Sequence, residues 1–233
     1  MKKYIWILLI IHQACTPSPS PTSAPNNPMD GIVLVDTHEV ELAIDTASHL
    51  SRSWFYARYI GEKRDTIRLD QDSYLLDHLG NDTTAYQYPD SGDLRVFVDT
   101  SRVIGQSETK ANWFTSNQGE FYWRQISVKS IPVVIENVSE KELALGYDIN
   151  LRLEVEAKDS LGAWRTIQKY GPMKCGTGLL PLLIRPKEIL VTSCKLFSGP
   201  FSTTMRIVRP SNPPVYSNEF WGQINYHQFQ KKE

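Results

Sequence analysis

Apolar residues fall along this chain in three textures: an unbroken run at 4–11 (YIWILLII), a tract without any large apolar side chain at 16–28, and short alternating runs from 29 onward. Alternation with period two marks strands that bury one face, and the Gly, Pro, Asn and Asp between the runs mark turns. Strands are predicted at 31–36 and 39–44, the second with Val40, Leu42 and Ile44 on one face. Residues 54–60 and 65–69 flank Gly61-Glu62-Lys63 as a predicted hairpin. Further strands are expected at 94–99, 121–128 and 132–137, with 138–142 turning the chain. A single strand is predicted over 147–157, with Ile149, Leu151, Leu153 and Val155 on one face. Asp159-Ser160-Leu161-Gly162 is a turn signal that returns the chain as 164–170. Strands at 177–185, 188–195, 201–209 and 215–220 complete the series, while 70–93 and 101–119 read as irregular loops. No stretch sustains a 3.6-residue period, so helices should be few. The pattern predicts an all-β chain: a small β-rich N-terminal part over 29–93, then a β-sandwich over 94–233.

The start of the chain carries an address. Met1-Lys2-Lys3 is cationic, the apolar run follows, and His12-Gln13-Ala14-Cys15 closes it. That order is the signature of a secretory signal, and the run is far shorter than the ~20 apolar residues of a membrane-spanning helix. Ala14-Cys15 matches the end of a lipobox, although His12 stands where an aliphatic residue is usual. The expectation is a lipoprotein signal peptide at 1–14 and lipidation of Cys15, which anchors firmly because each buried CH₂ contributes roughly 0.8 kcal/mol. Residues 15–28 then hold the lipidated cysteine and a Pro/Ser-rich spacer (TPSPSPTSAPNNP), a composition that stays extended and stands a folded domain clear of the headgroups.

Composition removes whole classes of function. The formal charge of -1 becomes -3 once Lys2 and Lys3 leave with the signal, and no Lys/Arg cluster follows. There is thus no electrostatic footprint for nucleic acid. With Cys15 acylated, Cys175 and Cys194 remain, and outside the cytoplasm they are a possible disulfide worth ~3 kcal/mol. Two half-buried thiols are the equal alternative. Their separation, with no CxxC or HxxxH nearby, matches no zinc spacing.

Candidate chemistry is sparse. Asp36-Thr37-His38-Glu39 is the most reactive-looking cluster, but on an alternating strand His38 and Glu39 point to opposite faces. No GxSxG, SxxK or phosphate loop occurs, and no histidine pair has ligand spacing. Asp70-Gln71-Asp72 and Asp90-Ser91-Gly92-Asp93 offer paired carboxylates for a hydrolase or hard oxygens for structural Ca²⁺, without the EF-hand spacing. No catalytic residue, cofactor or other metal is expected. The aromatics are the remaining hint: Trp54, Trp113 and Phe114 are the candidates for contacting a ligand.

One resemblance emerges from the second half. It rests on Pro132-Val133-Val134-Ile135-Glu136-Asn137-Val138-Ser139, on Glu156-Ala157-Lys158-Asp159 leading to Trp164, and on Cys175-Gly176. Gly199-Pro200-Phe201 with Met205-Arg206, and Tyr216-Ser217-Asn218-Glu219-Phe220, complete it. Together these resemble the immunoglobulin-like C-terminal module of envelope lipoproteins of the Bacteroidota, over 94–230. The resemblance implies an immunoglobulin-like sandwich and an outer-membrane anchor, and it assigns no activity. Surface export in that phylum reads acidic residues just after the cysteine; residues 16–28 have none, which favours an anchor facing the periplasm. The expected function is a non-catalytic module that binds or scaffolds an envelope protein. The alternatives are a glycan-binding module using the aromatic loops and, third, a hydrolase.

Overall fold

A strand that packs on one face buries alternate residues, yet every residue of Glu188–Lys195 is buried. Such a strand needs a protein layer on each side, and that requirement organises the molecule. The computed structural model describes residues 27–36, 44, 51–53, 55–70, 75–81, 86–112, 122–171 and 179–230. The chain is all-β, its sheets antiparallel for the most part. In order the strands are β1 (Val33–Val35), β2 (Ser51–Ser53), β3 (Phe55–Tyr56), β4 (Tyr59–Glu62), β5 (Thr66–Arg68), β6 (Leu94–Val98), β7 (Ile104–Asn112) and β8 (Tyr122–Asn137). There follow β9 (Leu143–Tyr147), β10 (Asn150–Leu151), β11 (Glu154–Lys158), β12 (Trp164–Tyr170), β13 (Pro181–Ile184), β14 (Glu188–Lys195), β15 (Phe201–Arg209), β16 (Val215–Tyr216) and β17 (Phe220–Ile224).

The central sheet runs β4-β14-β8-β6, with β7 pairing the other half of the long β8. Facing it are a sheet ordered β13-β9-β10-β3 and a sheet ordered β16-β15-β11-β12-β2, with β17 beside β15. One core joins all three: Val133, Ile135, Leu190 and Val96 from the central sheet meet Leu145, Leu182, Val155, Ile167 and Ile207 opposite. This is a β-sandwich. The other face of the central sheet is buried too. Val134, Ile189, Val191, Tyr59 and Ile104 pack beneath Met29, Ile32, Ile67 and Leu69, brought there by the parallel pair β1-β5. Val133 to Ile135 and Ile189 to Val191 therefore read as continuous apolar runs because both faces of the sheet are covered at those residues.

Most predicted strands stand where the pattern puts them, but four local readings change. The hairpin across Gly61-Glu62-Lys63 does not form: β4 pairs with β14 through Gly61↔Ile189, and β5 pairs with β1. Residues 104–112 are a strand rather than a loop, held against β8 along their whole length. The two strands expected at 121–128 and 132–137 are one. The single strand expected at 147–157 is instead broken at Asp148, whose φ of 50° reverses the chain. Leu151 then serves one sheet and Val155 the next, while Ile149 is exposed. Residues 29–93 do not stand apart: β2, β3 and β4 each complete a different sheet. The predicted strand at 39–44 lies outside the described residues apart from residue 44.

Candidate functional site

The alternating strand β15 turns Thr203, Met205, Ile207 and Arg209 inward, so an arginine occupies the position where the pattern calls for an apolar residue. Its guanidinium lies under β9. The ladder between β13 and β9 skips one residue, Leu182 pairing with Gly146 and Leu183 with Ala144. Such a bulge leaves carbonyls without ladder partners. Arg209 Nη2 donates to the Ala144 carbonyl at 3.1 Å and Nη1 reaches the Leu145 carbonyl at 3.4 Å, while Nε has no partner.

Above this arginine opens a cleft of about 420 Å³. One wall is Gly146, Tyr147 and Asn150, where β9 folds back into β10 so closely that a Cβ on Gly146 would lie 1.9 Å from the Asn150 carbonyl oxygen. The left-handed Asp148 at this reversal is pinned, donating to the Leu180 carbonyl through its amide and accepting from Leu180 N–H. A second wall is Tyr88 from the loop before β6, its hydroxyl 2.8 Å from that of Tyr147. Arg152 and Tyr170 form a third, the guanidinium 5.8 Å from the ring centre. Pro210, Ser211 and Asn212 close the floor after β15.

The electrostatics follow from this packing. Burial, and next the like charge of Arg152, push Arg209 down to about 10, so it remains a cation at neutral pH. Neither Arg152 nor Arg209 has an ion-pair partner among the described residues. The hydrogen bond with Tyr147, then burial, raise the Tyr88 phenol and keep it neutral. What the cleft offers is fixed positive charge, phenol hydroxyls, amides and aromatic faces, the equipment of recognition.

The residues singled out from the sequence fare differently. Cys15, Trp54, Trp113, Phe114, Cys175 and His38 lie outside the described residues. Cys194 is a free thiol, fully buried on β14, and burial pushes it up to about 12. Asp36 and Asp70, from two separate acidic clusters, meet on one buried arginine: Arg58 donates to Asp70 through Nε and Nη2 and to Asp36 through Nη2 at 3.0 Å. Asp36 also accepts from the Gly105 amide, so this hub ties β1, β4, β5 and β7. Asp93 accepts from the Asp90 amide and sits 3.7 Å from Lys141, with Asp90 at the cleft's rim. Among the described residues no three His, Cys, Asp or Glu side chains converge as a metal site. His78 is buried against Glu188.

The cleft residues themselves escaped the sequence reading. Tyr88, Tyr147, Tyr170, Arg152 and Arg209 span over a hundred positions with no common motif. One signal was present: Arg209 falls in phase with the buried positions of β15, and a charge there requires a reason. No family model matches this chain, and neither a curated protein nor a solved structure matches it.

Proposed function

We propose that the chain is a lipid-anchored envelope protein whose immunoglobulin-like β-sandwich is a non-catalytic binding module, with the two-arginine cleft as its binding seat. The observation that carries the binding role is Arg209, a buried cation without a carboxylate among the described residues, lining a concave site with three tyrosines. A buried charge is costly unless compensated; two carbonyls compensate Arg209 in part, and a ligand supplies the counter-charge that the described residues do not. The concavity favours a small ligand over the flat face of a protein. The anchoring role is supported by the apolar run at 4–11, Ala14-Cys15 and the Pro/Ser tract. The anchor sits in the outer membrane and faces the periplasm, in keeping with the uncharged residues 16–28.

Each half has its own test. Labelled palmitate should enter the wild-type chain and not Cys15→Ala; label on the variant would overturn the anchor. Purified lipidated protein should melt higher in the presence of at least one class among neutral saccharides, acidic saccharides and short peptides. That rise should vanish in a Tyr88→Ala/Tyr147→Ala double variant. If no class raises the melting temperature, or if the double variant keeps the rise, the cleft is not a binding seat.

A further inference from the structure

Most of the arginines described elsewhere in the molecule are neutralised. Arg58, Arg95, Arg165, Arg185 and Arg206 each pair with a carboxylate. Arg152 and Arg209 have no such partner among the described residues, and they converge on the same cleft. The one carboxylate of the lining, Asp90, is exposed and outside ion-pair distance of both. Burial first, and then the like charge of Arg152, weaken the hold of Arg209 on its proton. An anion seated between them would relieve both the repulsion and the cost of burying Arg209.

What carries the anion is constrained by the walls. At Gly146, Tyr147 and Asn150 both strand edges are already paired, by β13, β9, β10 and β3. The β11 ladders end at Gln168 and Val208, so open backbone at the cleft is confined to the ends of β12 and β15, a short edge for the usual addition of an extended peptide. The side chains instead present hydroxyls and amides, from Tyr88, Tyr147, Ser211, Asn150 and Asn212, beside aromatic faces. Hydroxyls and amides match a polyhydroxylated ring, and the ring faces of tyrosine match its C–H faces. The volume lies at the lower end of the roughly 300–1,000 Å³ of small-molecule sites. We propose that the cleft takes an acidic saccharide, its carboxylate held between Arg152 and Arg209 and its ring against the tyrosines. This inference rests on the cleft being the binding seat, and it specifies what that seat accepts.

The test is calorimetric titration of the detergent-solubilised full-length protein with digalacturonate, its dimethyl ester, cellobiose and trialanine. Digalacturonate should bind, and the ester and cellobiose should bind about tenfold more weakly or worse, the loss expected for one charged contact. Arg152→Gln should cost about as much; because Arg152 is exposed, an unchanged melting temperature will show that this variant is folded. Affinity should also fall with added NaCl. Equal binding of the ester, or an indifferent Arg152→Gln, overturns the inference. Preference for trialanine makes the ligand a peptide terminus and overturns it as well. Cellobiose binding that is lost in the tyrosine double variant would overturn the acidic ligand and leave the binding module standing. Silence with all four probes removes both.

Discussion

Asn218 replaces a piece of strand. Its Oδ1 accepts from the Val98 amide at 2.7 Å and its Nδ2 donates to the Val98 carbonyl at 3.1 Å, so one side chain closes both backbone groups at the end of β6. Next to it, Ser217 Oγ accepts from the Ile207 amide. Arg206 lies between the rings of Trp164 and Tyr216, 4.0 and 3.8 Å from their centres, and pairs with Glu156. Several of the residues that made the second half look familiar thus hold the sandwich together, and none of those described lines the cleft. Asn218→Ala should leave the Val98 N–H and C=O unsatisfied and cost about 1–3 kcal/mol by urea denaturation. Asn218→Asp, which accepts but cannot donate, should fall between. A loss below a few tenths of a kcal/mol would mean that water replaces the amide. Arg58 teaches the complementary lesson at this scale. The acidic clusters around Asp36 and Asp70 looked reactive in sequence because their shared counterion, twelve or more positions away in the chain from each, could not be seen.

At the scale of elements, periodicity located strands but, apart from the β11–β12 hairpin, did not pair them. Pro132 lies within β8 without breaking it. Its carbonyl accepts from the Asp99 amide, so its missing N–H faces the same side. On that side β6 ends opposite Val133 and β7 begins opposite Ser130. Proline sits in the gap between two partner strands, where no donor is called for. Strand β7 escaped notice for the reverse reason. Its sequence, IGQSETKAN, has almost no apolar alternation, and it is a strand because β8 holds it. Turns with a chemical mechanism were legible: Gly162 has φ of 78°, and Asp159 Oδ1 accepts from the amides of Leu161 and Ala163. Strand β14, paired on both edges over Ile189–Val191 and buried on both faces, should open there only with the whole fold. Hydrogen exchange should find the amides of 189–191 the slowest among the strands, and faster exchange there than in β17 would contradict this layering.

At the scale of the whole molecule, Glu188 links the loop at 75–81 to the central sheet. Its carboxylate lies 3.0 Å from His78 Nε2 and accepts from the Arg185 amide at 2.8 Å. Burial works to raise its pKa, but the hydrogen bonds from His78 and from the Arg185 amide, with the charges of both, prevail and lower it. A carboxylate lowered in the folded state contributes stability that is fully present above the ordinary value of about 4.3 and is lost as pH falls through the lowered one. Urea midpoints of wild type and Glu188→Gln should therefore differ most above the ordinary carboxylate value and converge as pH falls below it. Curves that stay parallel through the whole acid range in which the protein remains folded would show that the pair contributes nothing through ionisation. What the sequence determined alone was whatever depends on neighbours in the chain: the all-β class, the placement of most strands and the turn at Asp159. Those follow from alternation, backbone preference and local composition, which act over a few residues. The tertiary structure decided which strands pair, which acids meet Arg58, and that two arginines and three tyrosines from across the chain share one cleft. These depend on sheet order, and a period-two pattern says which face of a strand is buried but not what lies against it.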